Sequence, residues 1–259
     1  MADTYHEIIC GDCLEVMKWL PDKSVDMVLC DLPYGTTACA WDTVIAFDQL
    51  WAVYRHIIRT NCAVVLTSSQ PFTTDLIMSN REWFKYCWVW AKTVSGDVFN
   101  AKNKPLKKHE DIVVFSEGTT ANCSIRKMPY YPQGLTAIKK VVKNLETTRA
   151  FFAPRPSHQD SYTQTATGYP SSILYFPNDK GLHPTQKPVA LWEYLIRTYT
   201  NPSDTVLDNC CGSGTTGVAC YNTGRNSIQI DISQEYCDIA RKRLAEVQQL
   251  QQPTVNKGE

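Results

Sequence analysis

One short segment, TVLDNCCGSGTTG at residues 205–217, constrains the fold more than any other part of the chain. An apolar run typical of a strand leads into a glycine-rich turn that opens a helix, and Gly212, Gly214 and Gly217 fit the pattern G-x-G-x-x-G. Asp231 ends the next apolar run, 19 residues after Gly212. Glycines let the backbone approach a ligand closely, and the later acid can hold ribose hydroxyls. The segment therefore predicts a parallel α/β unit that binds a nucleotide-like cofactor, rather than a tight turn without a ligand.

The place of this unit in the chain restricts the choice of cofactor. Only 28 residues follow Asp231, so the other strands of the sheet must come from the N-terminal third. That third alternates apolar runs with helical patterns, as α/β units do. The runs are HEIIC, VDMVLC, CAVVLTS, YCWVWAK and EDIVVFSE, and the helical patterns lie near 14–20, 47–59 and 72–79. A dinucleotide-binding domain begins with its glycine loop, so a nicotinamide oxidoreductase would be unusual in this order.

A carboxylate beside the glycine loop narrows the ligand further. Asp208 precedes the turn at the carboxyl end of its strand, which is where open α/β sheets bind ligands. An acid at that place repels a pyrophosphate and attracts a cation. S-adenosylmethionine carries an ammonium, a sulfonium and a ribose diol but no phosphate, so the charge favours it.

A second strand end carries the motif DLPYG at residues 31–35. Asp31 would end the strand VDMVLC, on the same sheet edge as Asp208 and Asp231, and Asp12 should join them around one cleft. Proline and glycine also occur in ordinary turns that end strands, so the motif alone would be weak. Beside the glycine loop, it predicts a functional site.

The middle of the chain differs from both ends. From 118 to 182 the alternation gives way to a segment rich in Pro, Thr, Ser, Tyr and Lys, in which only 135–145 has a helical periodicity. Between residues 100 and 156 there are eleven Lys or Arg and four acids, although the whole chain has 26 residues of each sign. Such a segment is either a solvated face or a basic surface that binds a polyanion.

The composition excludes several other classes. The first residues, MADTYHEIICGD, show no basic and apolar signal pattern, and no run reaches the roughly eighteen apolar residues that a membrane helix needs. Eleven scattered cysteines indicate reduced, buried thiols and a reducing compartment. A single C-x-x-C without a second pair predicts no metal site. We therefore expect a soluble, cytoplasmic protein without a metal.

These motifs together resemble those of the β-class amino DNA methyltransferases. DLPY is similar to their catalytic (D/N/S)PPY motif and DNCCGSGTT to their cofactor loop, while IICGDCLEVM, NAKNKPLKKHEDIVVFS and HPTQKPVALWEYLIRTYTNPSDTVLD resemble further segments. The resemblance covers nearly the whole chain apart from about 118–170. Leu32 replaces the usual first proline, and NCC at 209–211 replaces a Pro-Phe-Ala-like run that supplies an aromatic contact to the cofactor.

The resemblance implies a Rossmann-like α/β methyltransferase fold, circularly permuted, with a mixed seven-stranded sheet and helices on both faces. It implies one catalytic domain over 1–259, in which 1–117 carries the catalytic motif and 183–259 the cofactor loop. A target-recognition region is expected as an insertion at about 118–182.

The resemblance also assigns the catalytic roles. Asp31 and the main-chain carbonyl of Pro33 would accept the two hydrogens of an exocyclic amino group, and Tyr34 would stack on a base flipped out of the duplex. Residues 36–42 would form a mobile flap. Implied cofactor contacts are Asp12, Cys13, Lys187, Asp208, Gly212, Ser213, Gly214, Thr215, Thr216 and Asp231. From the basic middle segment we predict DNA contacts at Lys104, Lys107, Lys108 and Lys127.

The resulting hypothesis is a bacterial or phage-type enzyme that methylates the N6 amino group of adenine in double-stranded DNA with S-adenosylmethionine. The aspartate in DLPY favours adenine, and N4-cytosine methylation is the alternative. An RNA or protein-amide methylase, a nicotinamide oxidoreductase and a non-catalytic DNA-binding subunit are more distant alternatives. The sequence leaves open whether the chain forms a homodimer, as β-class relatives often do, and whether a cognate restriction endonuclease exists.

Overall fold

The computed structural model describes residues 4–35, 42–143, 161–179 and 186–251. Its described strands are β1 His6–Cys10, β2 Val25–Asp31, β3 Ile58–Ser68, β4 Phe84–Gly96, β5 Lys107–Phe115, β6 Thr136–Lys143, β7 Ser161–Thr167, β8 Ile173–Tyr175, β9 Thr205–Asp208 and β10 Asn226–Asp231. Its described helices are α1 Cys13–Met17, α2 Phe47–Ile57, α3 Phe72–Ser79, α4 Val189–Tyr199, α5 Thr215–Thr223 and α6 Gln234–Gln251. A 3-10 turn covers Val98–Asn100.

The main sheet has the order β1-β10-β9-β2-β3-β5-β4-β8. Its first five strands are parallel, β5 runs antiparallel to both β3 and β4, and β8 pairs parallel with β4. Two strands from the end of the chain, β9 and β10, lie between β1 and β2, which confirms the predicted permuted order and mixed sheet. The predicted number of seven strands was wrong for the described residues, because the three-residue β8 adds an eighth at the edge.

Helices cover both faces of this sheet, as predicted. In β2, Val28 and Cys30 belong to one buried cluster and Met27 and Leu29 to the other, which is the alternation that a strand produces. The first cluster includes side chains of α2 and α3, and the second includes side chains of α4 and α5. A strand buried on both faces requires a continuous apolar run, as in VDMVLC.

Residues 132–171 form a separate compact unit. Its described part is a two-stranded antiparallel sheet in which β6 pairs with β7, from Thr136 opposite Thr167 to Lys143 opposite Ser161. The helical periodicity predicted for 135–145 was therefore wrong. TAIKKVVK is rich in β-branched residues, and pairing with β7 satisfies its backbone as a strand. Residues 118–131 and 172–179, which the sequence assigned to the insertion, lie in the other unit.

Within the described ranges, no helix is long and apolar enough to span a membrane.

Candidate active site

The carboxyl ends of the parallel strands carry the four acids that the sequence singled out. Asp31, Asp208 and Asp231 end β2, β9 and β10, and Asp12 follows β1. All four line one cavity of about 820 Å³, a size typical of small-molecule sites. Since parallel strands end at one edge of a sheet, the strand positions alone bring these carboxylates together. We call the wall formed by 12–14, 208–213, 215, 231–233 and 236 the cofactor half, and the wall formed by 31–34, 107, 110 and 187 the acceptor half.

Asp231 organises the cofactor half. Its Oδ2 accepts a hydrogen bond of 2.8 Å from the backbone N–H of Gly212, and its Oδ1 accepts one of 2.9 Å from Ser233 N–H. Asp12 is the N-cap of α1, where its Oδ1 accepts from the N–H of Leu14 at 2.8 Å. Both carboxylates are thus oriented by backbone donors while lining the cavity.

The glycine loop packs tightly at two of its three glycines. Gly214 has φ of 78°, and a Cβ built there would lie 2.6 Å from the Cβ of Ala240 in α6. At Gly217 a Cβ would lie 2.2 Å from Nε2 of Gln229, whose Oε1 accepts from Gly217 N–H at 3.0 Å. The pattern G-x-G-x-x-G thus seats the start of α5 against α6 and β10.

Asp208 is almost completely buried, with 4% of its surface exposed. Its Oδ2 accepts from the hydroxyl of Thr216, and its Oδ1 accepts from Cys210 N–H at 3.2 Å. Trp192 Nε1 donates to the same hydroxyl at 2.8 Å, so Thr216 must use its own hydrogen for Asp208. Burial raises the pKa of Asp208 to about 7, and the hydrogen bonds from Thr216 and Cys210 only partly oppose this.

The structure divides the predicted cofactor residues into two groups. Those that line the cavity are Asp12, Cys13, Lys187, Asp208, Gly212, Ser213, Thr215 and Asp231. Gly214 and Thr216 lie behind the wall, where Gly214 shapes the loop and the fully buried Thr216 supports Asp208.

Asp31 is the centre of the acceptor half. Its Oδ1 accepts from the hydroxyl of Tyr34 at 2.6 Å and from that of Thr67 in β3, and its Oδ2 accepts from Lys187 Nζ at 2.5 Å. Burial alone would raise the pKa of this carboxyl, but the Lys187 ammonium and the two hydroxyls outweigh it and lower the pKa. Asp31 therefore stays ionised at neutral pH.

Tyr34 is held on two sides. Besides its hydrogen bond to Asp31, its ring packs against Phe72 of α3, with 5.1 Å between the ring centroids and 30° between the planes. Pro33 lines the cavity beside it. The side chains that the sequence assigned to a base-binding turn are thus all at the cavity wall.

Lys187 lies in a different place from the one that the sequence suggested. Its ammonium lies 2.5 Å from Asp31 and 3.3 Å from Oε2 of Glu110 in β5, while only 6% of its side chain is exposed. The neighbouring Gln186 contacts the glycine loop instead, with Oε1 3.3 Å from the hydroxyl of Ser213. Lys187 therefore contacts the acceptor half rather than the glycine loop.

Sequence reasoning missed Glu110 and Thr67. Thr67 carried no detectable signal, because a threonine at the end of a buried strand is common. Glu110 could have been found, since it is a carboxylate two positions before the buried run of β5, and buried carboxylates need a partner.

The four predicted DNA lysines differ in their surroundings. Lys107 lines the cavity and donates to Ser69, whereas Lys104, Lys108 and Lys127 lie outside its wall. Lys104 pairs with Asp97 at 2.5 Å. Of the predicted flap at 36–42, residues 36–41 lie outside the described residues. Asp42 is buried and accepts from Gly35 N–H at 2.9 Å. No group of three or more His, Cys, Asp or Glu within the described part could hold a metal ion.

One half of the cavity carries a glycine loop and three carboxylates at strand ends, and the other presents a carboxylate beside an aromatic ring. This division is typical of enzymes that transfer a group from a nucleotide cofactor to a planar acceptor. A family model described as DNA methylase, of the N6 and N4 methyltransferases, matches residues 25–242. The chain belongs to this DNA methylase family.

Individual relatives are similar over most of the chain. Type II methyltransferase M.HpaI of Haemophilus parainfluenzae is 26% identical over 255 residues, which cover 92% of this chain and 73% of that protein. DNA adenine methyltransferase YhdJ of Escherichia coli K12 is 27% identical over 249 residues, which cover 92% and 82%.

Solved structures share the fold. The complex of M1.HpyAVI with SAM has a TM-score of 0.61 at 24% identity and covers 92% of this chain and 100% of that one. The cytosine-N4-specific PvuII DNA methyltransferase has a TM-score of 0.63 at 14% identity, with 94% and 91% covered.

Proposed function

We propose that this DNA methylase transfers a methyl group from S-adenosylmethionine to the N6 amino group of an adenine flipped out of double-stranded DNA. The observation that carries the proposal is the Asp31 carboxylate, ionised and held beside Pro33 and Tyr34 in the same cavity as the glycine loop. An exocyclic amine is a weak nucleophile because its lone pair is delocalised into the ring. Two acceptors, Asp31 and the Pro33 carbonyl, favour the pyramidal amine and direct its lone pair at the methyl donor.

The cofactor half fits S-adenosylmethionine by its charge. Among the described residues that line it there are the carboxyl groups of Asp12, Asp231 and Asp208, whose pKa is about 7, and no Lys or Arg, so the lining itself offers a pyrophosphate no cationic side chain. Asp231 would hold the ribose diol, Asp12 the adenine amino group, and the wall from Asp208 to Thr215 the methionine part. When bound, the cofactor would supply a methyl group on a positively charged sulfur, and the sulfur is the leaving group when an amine attacks that methyl carbon.

The residues of the acceptor half orient the amine and do not form a covalent bond to it. Asp31, whose pKa is lowered, serves as a hydrogen-bond acceptor for the amino group rather than as a strong base. Tyr34 stacks on the base and keeps water from that face. Cytosine-C5 methylation needs a Pro-Cys nucleophile, and the chain contains no Pro-Cys dipeptide.

Adenine is favoured over cytosine by the aspartate of DLPY and by the names of the relatives, which include a DNA adenine methyltransferase. We further propose a bacterial cytoplasmic location. A homodimer and a cognate endonuclease are predictions. Sedimentation of the pure chain would test the homodimer, and a survey of neighbouring genes would test the endonuclease.

The proposal is tested by sequencing modified bases in DNA from methylase-free cells that express the chain. We expect N6-methyladenine at one short recognition sequence. With Asp31→Ala, methyl transfer should fall roughly 100-fold or more, because the amine loses one acceptor, while the affinity for S-adenosylmethionine by calorimetry is kept. N4-methylcytosine would overturn the choice of base. Tight NAD binding without S-adenosylmethionine binding, or an unchanged activity of Asp31→Ala, would overturn the mechanism.

A further inference from the structure

The hydrogen bonds of Asp31 leave a defined part of its carboxylate for a substrate. A carboxylate has about four acceptor positions, two on each oxygen. Within the described residues, Oδ1 accepts from Tyr34 and Thr67, and Oδ2 accepts from Lys187. Oδ1 is therefore filled, and one acceptor position remains on Oδ2, next to the Lys187 ammonium.

Lys187 is similarly constrained. An ammonium has three donors. Within the described residues, Asp31 and Glu110 face it at 2.5 and 3.3 Å. Glu110 is in turn paired with Lys92 through its other oxygen. Because the described residues take at most two of its three donors, Lys187, which lines the cavity, has at least one N–H left beside the open acceptor of Asp31.

The charges around this pair keep it ionised. Asp31 is faced by Lys187, Tyr34 and Thr67, and from β2 and β9 by Cys30 and Asp208. Burial tends to lower the pKa of Lys187, but the two carboxylates of Asp31 and Glu110 outweigh this and raise the pKa. A charged donor and a charged acceptor therefore stand side by side at the cavity wall.

We propose that Asp31 Oδ2 and Lys187 Nζ together recognise the Watson–Crick edge of the target base. Oδ2 accepts an amino hydrogen, and the ammonium donates to the unprotonated ring nitrogen beside that amino group. Adenine has this arrangement at N6 and N1, and cytosine has it at N4 and N3. Guanine and thymine carry a ring N–H on that edge, which the ammonium repels. The inference rests on the proposed function and makes Lys187 a specificity-determining residue.

Glu110 has a positioning role in this arrangement. It contacts Lys187 but, unlike Asp31, it lies on β5 and is paired on its other side with Lys92. The contact with Glu110 limits the rotation of the Lys187 ammonium, so the donor stays aligned with Oδ2 of Asp31.

The test compares two duplexes, one with the natural target base at the sequenced methylation site and one with 1-deazaadenine there. Removing the ring nitrogen should lower kcat/KM of the wild type roughly 10- to 100-fold, since the buried ammonium loses its partner. Lys187→Met should be slow on both duplexes, so the ratio of kcat/KM on the natural duplex to kcat/KM on the 1-deazaadenine duplex should be near one. Its affinity for S-adenosylmethionine should stay within about twofold of the wild type. If the methylated base is cytosine, 3-deazacytosine serves in the same way.

Two further variants complete the comparison. Lys242→Met removes an exposed lysine of α6 and should keep the wild-type ratio. Glu110→Gln keeps the Lys187 ammonium but loosens it, so the ratio should fall between those of the wild type and Lys187→Met. If Lys187→Met fails to fold, the ratio measured for Glu110→Gln alone tests the inference: a ratio below that of the wild type supports it, and an equal ratio overturns it.

Equal ratios in the wild type, Lys187→Met and Glu110→Gln would overturn the inference. So would a tenfold or greater loss of S-adenosylmethionine affinity in Lys187→Met with the wild-type ratio retained, because Lys187 would then serve the cofactor. A wild type that methylates neither duplex would instead overturn the proposed function.

Discussion

At the scale of single residues, burying Asp208 makes the free energy of unfolding depend on pH. Its pKa is about 7 in the folded protein against an ordinary value of 3.8, because burial disfavours the charged form. Between pH 3.8 and about pH 7, Asp208 therefore keeps its proton in the folded protein but loses it in the unfolded chain. The contribution of Asp208 to stability is fully present below pH 4 and is lost as the pH rises to about 7, by at most about 4 kcal/mol.

Asp208→Asn should remove this dependence. We expect the free energy of unfolding of Asp208→Asn, minus that of the wild type, to increase between pH 5 and pH 8, as measured by urea denaturation without cofactor. Asp238→Asn, which makes the same substitution on the exposed face of α6, is the matched control. A difference that is constant with pH would show that Asp208 titrates near its ordinary value.

At the scale of elements, the start of α5 depends on the absence of a side chain. Gly214→Ala combines a left-handed backbone at φ 78° with a Cβ 2.6 Å from Ala240. Gly224→Ala at the end of the same helix has φ of 70° but meets nothing within 4 Å among the described residues. We expect Gly224→Ala to cost about 1 kcal/mol and Gly214→Ala about 2 to 4 kcal/mol in urea denaturation, with S-adenosylmethionine affinity lost only in Gly214→Ala. Equal costs would mean that α6 moves aside freely.

The elements also show where local sequence patterns suffice. The motifs at 205–217 and 31–34 were interpretable because strand, turn and functional residue are contiguous, so the fold needs only to align strand ends. β6 was misassigned because its alternation is imperfect and its partner β7 lies beyond residues 144–160 in the chain. Periodicity within one segment carries no information about such a partner.

At the scale of the whole molecule, the charges are unevenly distributed although their sum is zero. Lys108 and Lys127 are exposed, outside the cavity wall, and belong to the basic part of the chain. If they contact phosphates, Lys108→Gln with Lys127→Gln should make the slope of log K for DNA against log salt shallower by about 2. The cofactor affinity should not change.

The matched control for this pair is Lys18→Gln with Lys242→Gln, which removes the same charge from other exposed positions. Fluorescence anisotropy of labelled duplex DNA at several salt concentrations gives both slopes. Equal slopes in the two double variants would mean that only the net charge of the molecule matters, and that neither Lys108 nor Lys127 contacts the DNA backbone.

The sequence by itself determined the permuted α/β class, the glycine loop and the four acids at one sheet edge, because each depends on residues adjacent in the chain and on the common direction of parallel strands. Only the tertiary structure decided what faces Asp31. Lys187 is 156 positions away from it, and Thr67 and Glu110 lie on two other strands. Hydrogen bonds between distant segments follow from the packing of whole elements, which no local pattern records.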